Sequence, residues 1–174
     1  MSEKKSSLTM KELIESIVIA IVLAIIIRTF LFEPFWIPSR SMEPTLQISD
    51  RIIVTKFSYW LSEPKRGDVV VFEYPLDTSK DYVKRVIGLP GEKIEIRDSK
   101  LYINDILVEE PYLPTELQFP DFGPVEVPEN AYFMMGDNRN NSSDSRDWGF
   151  VERELLIGKS QFIYWPLDRI GRVK

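Results

Sequence analysis

The feature that most constrains this chain is a long apolar run near its start, Leu13 to Phe32, LIESIVIAIVLAIIIRTFLF. A stretch like this must be hidden from water, in lipid or in a core. Its uncharged centre, Ser16 to Ile27, is 12 residues long, short of the roughly 20 that a spanning helix needs. Glu15 and Arg28 stand near its two ends, where long side chains reach the interface. Counted over 13–32, the run suffices for one transmembrane helix. Lys4, Lys5 and Lys11 precede it and favour a cytoplasmic N-terminus over 1–12. Phe30, Phe32, Phe35 and Trp36 follow, like an aromatic belt on the far side. A cleaved signal peptide would show a small-x-small site after the run, and none follows. A buried helix of a soluble domain is the remaining alternative. With the anchor in place, Glu33-Pro34 is expected to end the helix near the membrane surface. Residues 33–174 then form a domain on the extracytoplasmic side, and the lipid bilayer is one partner.

Composition narrows the chemistry. At 174 residues the chain holds one domain with a core, or a small domain and an anchor. It carries 22 basic and 27 acidic residues, net −5, which argues against nucleic acid as a partner. There is no cysteine, so no disulfide framework exists. There is no histidine either. Ser-His-Asp triads, Cys-His dyads and ordinary zinc sites are excluded. A carboxylate pair, a hard-metal oxygen site or a serine with an unusual base remain.

Beyond Pro38 the pattern is strand-like. RIIVTKF, DVVVFEY, DYVKRVIGL, KIEIRD, KLYINDILV and AYFMMGD are short and rich in β-branched and aromatic residues, with turn signals such as PKRGD, LPGE and RDSK between them. Helical periodicity returns only in the short VERELLIG. The expectation is a mainly β chain: one transmembrane helix plus a compact domain of twisted antiparallel sheets, partly closed. Five prolines in Glu110 to Pro128 mark an irregular excursion or flap, and 95–130 is expected to be a small cap.

Two segments carry candidate chemistry. PSRSMEPTL, Pro38 to Leu46, holds Ser41 in a short turn between prolines, as a nucleophile would be held. In DYVKRVIGL, alternation puts Tyr82 and Lys84 on one face of a strand and Val83 and Arg85 on the other. If one face is core, one of these adjacent cations is at least partly buried. Burial lowers a lysine's pKa from about 10.4. A shift of about two units leaves a few per cent neutral near pH 7, at a cost of about 2.7 kcal/mol. Neutral lysine can act as a general base for serine; arginine cannot, because it does not deprotonate. A lysine on a solvated strand and a serine in an ordinary turn are the bland alternative. The third segment, GDNRNNSSDSRDWGF from Gly136 to Phe150, is dense in polar residues and reads as a loop tied by its own hydrogen bonds. It is not a calcium loop: Arg139 occupies a ligand slot, and Ser142 stands where glycine is required. No metal site is expected.

Taken together, PSRSMEPTL, SDRIIVTKFSY, RGDVVVFEYP with DYVKRVIGLPGE, and GDNRNNSSDSRDWGFV resemble the boxes of type I signal peptidases. These are membrane-bound serine proteases that remove signal peptides. The resemblance covers nearly all the chain after the anchor, and the four segments stand in the family's order. The family uses a Ser-Lys dyad, so the missing histidine fits. The resemblance implies Ser41 as nucleophile and Lys84 as general base. It implies an oxyanion hole from the Ser39 hydroxyl and the Ser41 N–H. Ser142, with Ser143 beside it, falls where a serine orients the lysine. Arg85, Asp137, Asp144 and Arg146 match a supporting salt-bridge set, with Arg85 facing away from the site. Ile37, Pro38, Met42, Tyr82 and Val83 are the implied substrate-binding residues. Arg40 departs from the commonest pattern, in which a small or acidic residue separates the serines, and could alter substrate preference. The short excursion implies a compact version with a small cap. The implied substrates are preproteins with small residues before the cleavage site, handled without metal or organic cofactor at a plasma or thylakoid membrane. The aromatic segments KFSYWLSEP and QFIYWPLDR are candidates for lipid contact, with ordinary core as the alternative. A self-cleaving protease and an anchored peptide-binding β domain are the competing functions; a desolvated lysine has no use in a pure binder.

Overall fold

The computed structural model describes residues 9–60 and 62–174. Lys4 and Lys5, which bear on orientation, lie outside the described residues, as does Leu61 in KFSYWLSEP. Helix α1 (Met10–Ile26) begins earlier than the expected Leu13, because Thr9 and Glu12 cap it reciprocally. This Thr-x-x-Glu box satisfies two otherwise orphan amides and adds a turn that hydropathy alone does not reveal. Past Ile26 the chain widens into a π-type turn, Ile27–Leu31, and Phe32 is already extended. Met10–Leu31 is 22 residues, long and apolar enough to cross a membrane, about 33 Å at about 1.5 Å per residue. The protein buries none of this segment.

The described residues form two antiparallel sheets. In chain order the strands are β1 (Phe32–Trp36), β2 (Arg51–Thr55), β3 (Val69–Tyr74), β4 (Asp77–Gly88), β5 (Lys93–Arg97), β6 (Lys100–Ile103), β7 (Ile106–Val108), β8 (Phe122–Glu126), β9 (Ala131–Met135), β10 (Val151–Glu152), β11 (Leu156–Trp165) and β12 (Gly171–Arg172). The larger sheet runs β1-β2-β11-β3-β4-β9-β10, with β12 on β11. The smaller runs β7-β6-β5-β8. Its hairpins turn at Asp98-Ser99 and Asn104-Asp105, all four with positive φ, the conformation that a tight two-residue hairpin demands. This is the mainly β architecture that the sequence predicts.

Three elements differ from the sequence reading. The aromatic run after the anchor is an edge strand, β1, in register with β2 from Phe32↔Thr55 to Trp36↔Arg51. An edge accommodates Pro34, which has no amide to donate. Part of the proline-rich excursion is β8, paired with β5. VERELLIG is not a helix: Arg153–Leu155 makes one tight turn, and the ten-residue β11 follows between β2 and β3. Long-range pairing outweighs the weak local helical pattern there. A short helix, α2 (Ser145–Trp148), forms instead inside the polar loop, capped by Asp144.

The fold positions the site through β4. Apolar clusters cover both of its faces, one containing Val69, Val71 and Val83, the other Val70, Phe72 and Val86. β9 pairs with β4 only from Arg85 onward, so the outer edge of Asp81–Lys84 carries no strand. Although three strands separate β1 from β4, the chain just after β1 meets β4 because the sheet curls.

Candidate active site

The turn after β1 is built on buried anchors. Met42 and Leu46 are fully buried beneath it, and the Leu46 N–H donates to the Met42 carbonyl. Asp50 is buried below the turn; its carboxylate accepts from the Gln47 N–H and takes a two-pronged donation from Arg169 at 2.8 and 2.9 Å. Arg169 also donates to the Thr45 carbonyl. Ser41 is thus presented from a pinned turn rather than a loose loop.

The structure brings Ser41 and Lys84 together: Lys84 Nζ lies 2.8 Å from Ser41 Oγ. Lys84 is 4% exposed. Its ammonium also donates to the Val83 carbonyl at 3.1 Å, and it lies 5.3 Å from the centre of the Tyr82 ring. Burial lowers its pKa to about 8, while the charges of Asp144 and Asp137 pull back upward. Removal from water disfavours the charged form more than these two distant carboxylates restore it. The Ser39 hydroxyl is 3.4 Å from Ser41 Oγ.

With one face of the strand as core, the alternation predicts one of the two cations to be partly buried; in the structure both are, and Arg85 is 1% exposed. Arg85 donates to both oxygens of Asp137, at 2.8 and 2.6 Å, and to the Gly67 carbonyl. Asp144 pairs separately with Arg146 at 2.8 Å and accepts from the Gly136 N–H. The loop behind Ser41 is fitted tightly. A Cβ on Gly136 would collide with the Ser142 side chain and the Ser41 carbonyl, so this position suits glycine alone. The Asn138 N–H donates to the Ser41 carbonyl at 3.0 Å, and its amide side chain donates to the Arg40 carbonyl at 3.1 Å.

A cleft of about 500 Å³ opens over the pair, lined by Pro38, Ser39, Tyr82, Val83, Ile48 and Asn141 among others. Ile37 and Met42, expected to meet substrate, do not line it; both are packed into the core beneath. Ser143 lines the cleft, whereas Ser142 does not. The Ser142 hydroxyl is buried without a hydrogen-bond partner among the described residues.

Known proteins resemble this chain along nearly its whole length. A model of the family described as signal peptidase, peptidase S26, matches residues 10–165. The chain belongs to this family. It is a hydrolase of the type I signal peptidase class. The probable signal peptidase I-2 of Synechocystis sp. is 46% identical over 98% of this chain and 81% of its own. The signal peptidase I of Bacillus licheniformis is 43% identical over 98% of this chain and 96% of its own. A solved signal peptidase I from Enterococcus faecalis V583 superposes with a TM-score of 0.51 at 36% identity, covering 56% of this chain and 97% of that one.

Several residues that shape the peptidase's site escaped the sequence reading. Thr45 lies inside PSRSMEPTL, and its hydroxyl donates to Asp137 at 2.5 Å. Tyr112 lays its ring 3.8 Å from the Arg85 guanidinium, and Glu110 clamps Arg139. Thr45 is readable from its residue type as a hydrogen-bonding group close to Ser41 in sequence. Glu110 and Tyr112 sit in the proline-rich excursion, where no local signal marks them.

Proposed function

We propose that this peptidase cleaves signal peptides from exported preproteins at the membrane surface by a Ser41–Lys84 dyad, through an acyl-enzyme. The observation that carries the reading is the 2.8 Å contact between Ser41 and a buried lysine that no carboxylate among the described residues pairs with. Neutral Lys84 takes the Ser41 proton. Ser41 Oγ attacks the carbonyl carbon of a small residue, and the oxyanion is held by the Ser39 hydroxyl and the Ser41 N–H, donors typically worth about 3 kcal/mol. Protonated Lys84 gives its proton to the departing amine. Lys84 then activates a water that releases the acyl group, and the dyad is restored. The substrate lies extended between Pro38-Ser39 and the unpaired edge of Tyr82-Val83, adding as a strand. Ser142 and Ser143 are the candidates for orienting the lysine as substrate enters.

In this reading α1 is the anchor, residues 1–12 are cytoplasmic and 33–174 lie on the opposite side, with 95–130 as the cap. Because α1 passes into β1 through a single π-type turn, the cleft is held close to the bilayer. Phe57 meets Phe32 beside that junction and Trp60 is exposed just after it, while Phe162 and Trp165 are exposed along β11; these exposed rings support contact with the lipid interface.

The test is cleavage of a purified preprotein by the full chain in lipid vesicles across a pH series. Wild type is expected to cut after a small-x-small site, with activity rising through about pH 8. Ser41→Ala and Lys84→Ala are expected to be inactive, and Trp60→Ala with Trp165→Ala to lose activity in vesicles but not in detergent. Substantial cleavage by Lys84→Ala would overturn the dyad. Equal activity of the tryptophan variant in both media would remove the lipid contact.

A further inference from the structure

Arg139 is a fully buried guanidinium outside the dyad. It forms a two-pronged pair with Glu110, at 2.7 and 2.5 Å, and donates to the Gly136 carbonyl at 3.3 Å. Glu110 is almost as buried and also accepts from the Tyr112 hydroxyl at 2.5 Å. Burial and the Glu110 carboxylate push the Tyr112 hydroxyl's pKa up, so it stays a donor. The Tyr112 ring covers the Arg85 guanidinium, whose fork holds Asp137. Asn138 therefore sits between two residues, Asp137 and Arg139, each gripped by its own buried ion pair. Both assemblies close on one three-residue piece of chain, Glu110-Pro111-Tyr112. Asn138 in turn holds the carbonyls of Arg40 and Ser41.

We propose that Glu110 and Tyr112 are positioning residues for the nucleophile, acting through Arg139, Arg85 and Asn138. The proline-rich excursion is then a buttress of the active site and not a free flap. A buried ion pair tolerates no loss of one partner, because the survivor is left uncompensated. With Glu110 replaced, Arg139 must leave its pocket or find another acid, and Asn138 shifts with it. The Ser41 carbonyl follows, and with it the direction of Ser41 Oγ. Displacement of a reacting group by about 1 Å costs about a hundredfold in rate. Neither Glu110 nor Tyr112 lines the cleft, so neither touches substrate directly.

The inference rests on Ser41 being the nucleophile, so the test carries Ser41→Ala as a reference. Full-length Glu110→Gln and Tyr112→Phe are assayed against a preprotein substrate, with thermal melts recorded alongside. In Glu110→Gln, kcat is expected to fall about tenfold to a hundredfold with KM unchanged. Tyr112→Phe keeps the ring over Arg85 and loses one hydroxyl, so kcat is expected to fall roughly threefold to tenfold. If Glu110→Gln does not fold, Tyr112→Phe decides. A kcat within about twofold of wild type in the folded variants overturns the proposal, and so does a raised KM with unchanged kcat. Cleavage by Ser41→Ala is a separate failure: it sinks the nucleophile assignment beneath the inference.

Discussion

Lys84 and Arg85 are neighbours on β4, equally buried, and the fold treats them in opposite ways. Arg85 has its donors spent on Asp137, Thr45 and the carbonyls of Gly67 and Lys174, with Tyr112 over its face. Lys84 touches one hydroxyl and one carbonyl. A guanidinium does not shed its proton, so its burial requires an acid and a full set of acceptors. An ammonium can escape the same cost by becoming neutral. The difference teaches how one strand supports two kinds of chemistry. The saturated cation is scaffold, and the one left short of partners is poised to exchange a proton.

Lys84→Arg attacks that difference most directly. It keeps the charge and removes the ability to deprotonate, so cleavage is expected to drop by about 10⁴-fold or more. Measurable turnover near the wild-type level would mean that the base lies elsewhere. Asp137→Asn probes the other member. It leaves Arg85 buried without its acid and is expected to cost roughly 3–5 kcal/mol of stability, read from denaturant unfolding. A loss under about 1 kcal/mol would show that the neutral acceptors around Arg85 suffice. Lys84→Met has the smallest effect and the opposite sign. The lysine's pKa falls from its ordinary 10.5 to about 8 on folding. Between those values the unfolded chain binds more protons, so wild-type stability rises with pH through that window. Below about pH 8 the buried charge costs roughly 3 kcal/mol. An inactive Lys84→Met should therefore melt higher than wild type at pH 7, with the gap closing as pH rises toward 10.5. A variant that melts lower at pH 7 would contradict the desolvated lysine.

The parts of the fold that were legible in sequence are those whose signal is local. The β-branched and aromatic runs of β2, β3, β4 and β9 and the Asp98-Ser99 turn announce themselves, whereas the turn at Asn104-Asp105 divides KLYINDILV, which reads locally as one strand, into β6 and β7. β1, β8 and β11 do not announce themselves either. Pro34, Gly123-Pro124 and Gly158 each break the local pattern, and only pairing with a distant strand makes those stretches extended. The site divides in the same way. Ser41 between two prolines, and adjacent cations on an alternating strand, are visible as text. Met42 and Ile37 sit just as close to the nucleophile in sequence, yet their side chains turn into the core.

By itself the sequence determined that the chain has an apolar N-terminal run needing cover, that no histidine or cysteine chemistry is available, and that two adjacent cations on a strand point to opposite faces. These follow from composition and from the two-residue period of a strand, which need no partner to be true. The tertiary structure alone decided that both cations are buried, which of them receives Asp137, and that Glu110 and Tyr112 reach the back of the loop that holds Asn138. The reason is physical. An ion's cost in the interior depends on which acceptors the rest of the chain brings within hydrogen-bond reach. Around Arg85 those acceptors arrive from 18 to 89 residues away, a separation that no local pattern records.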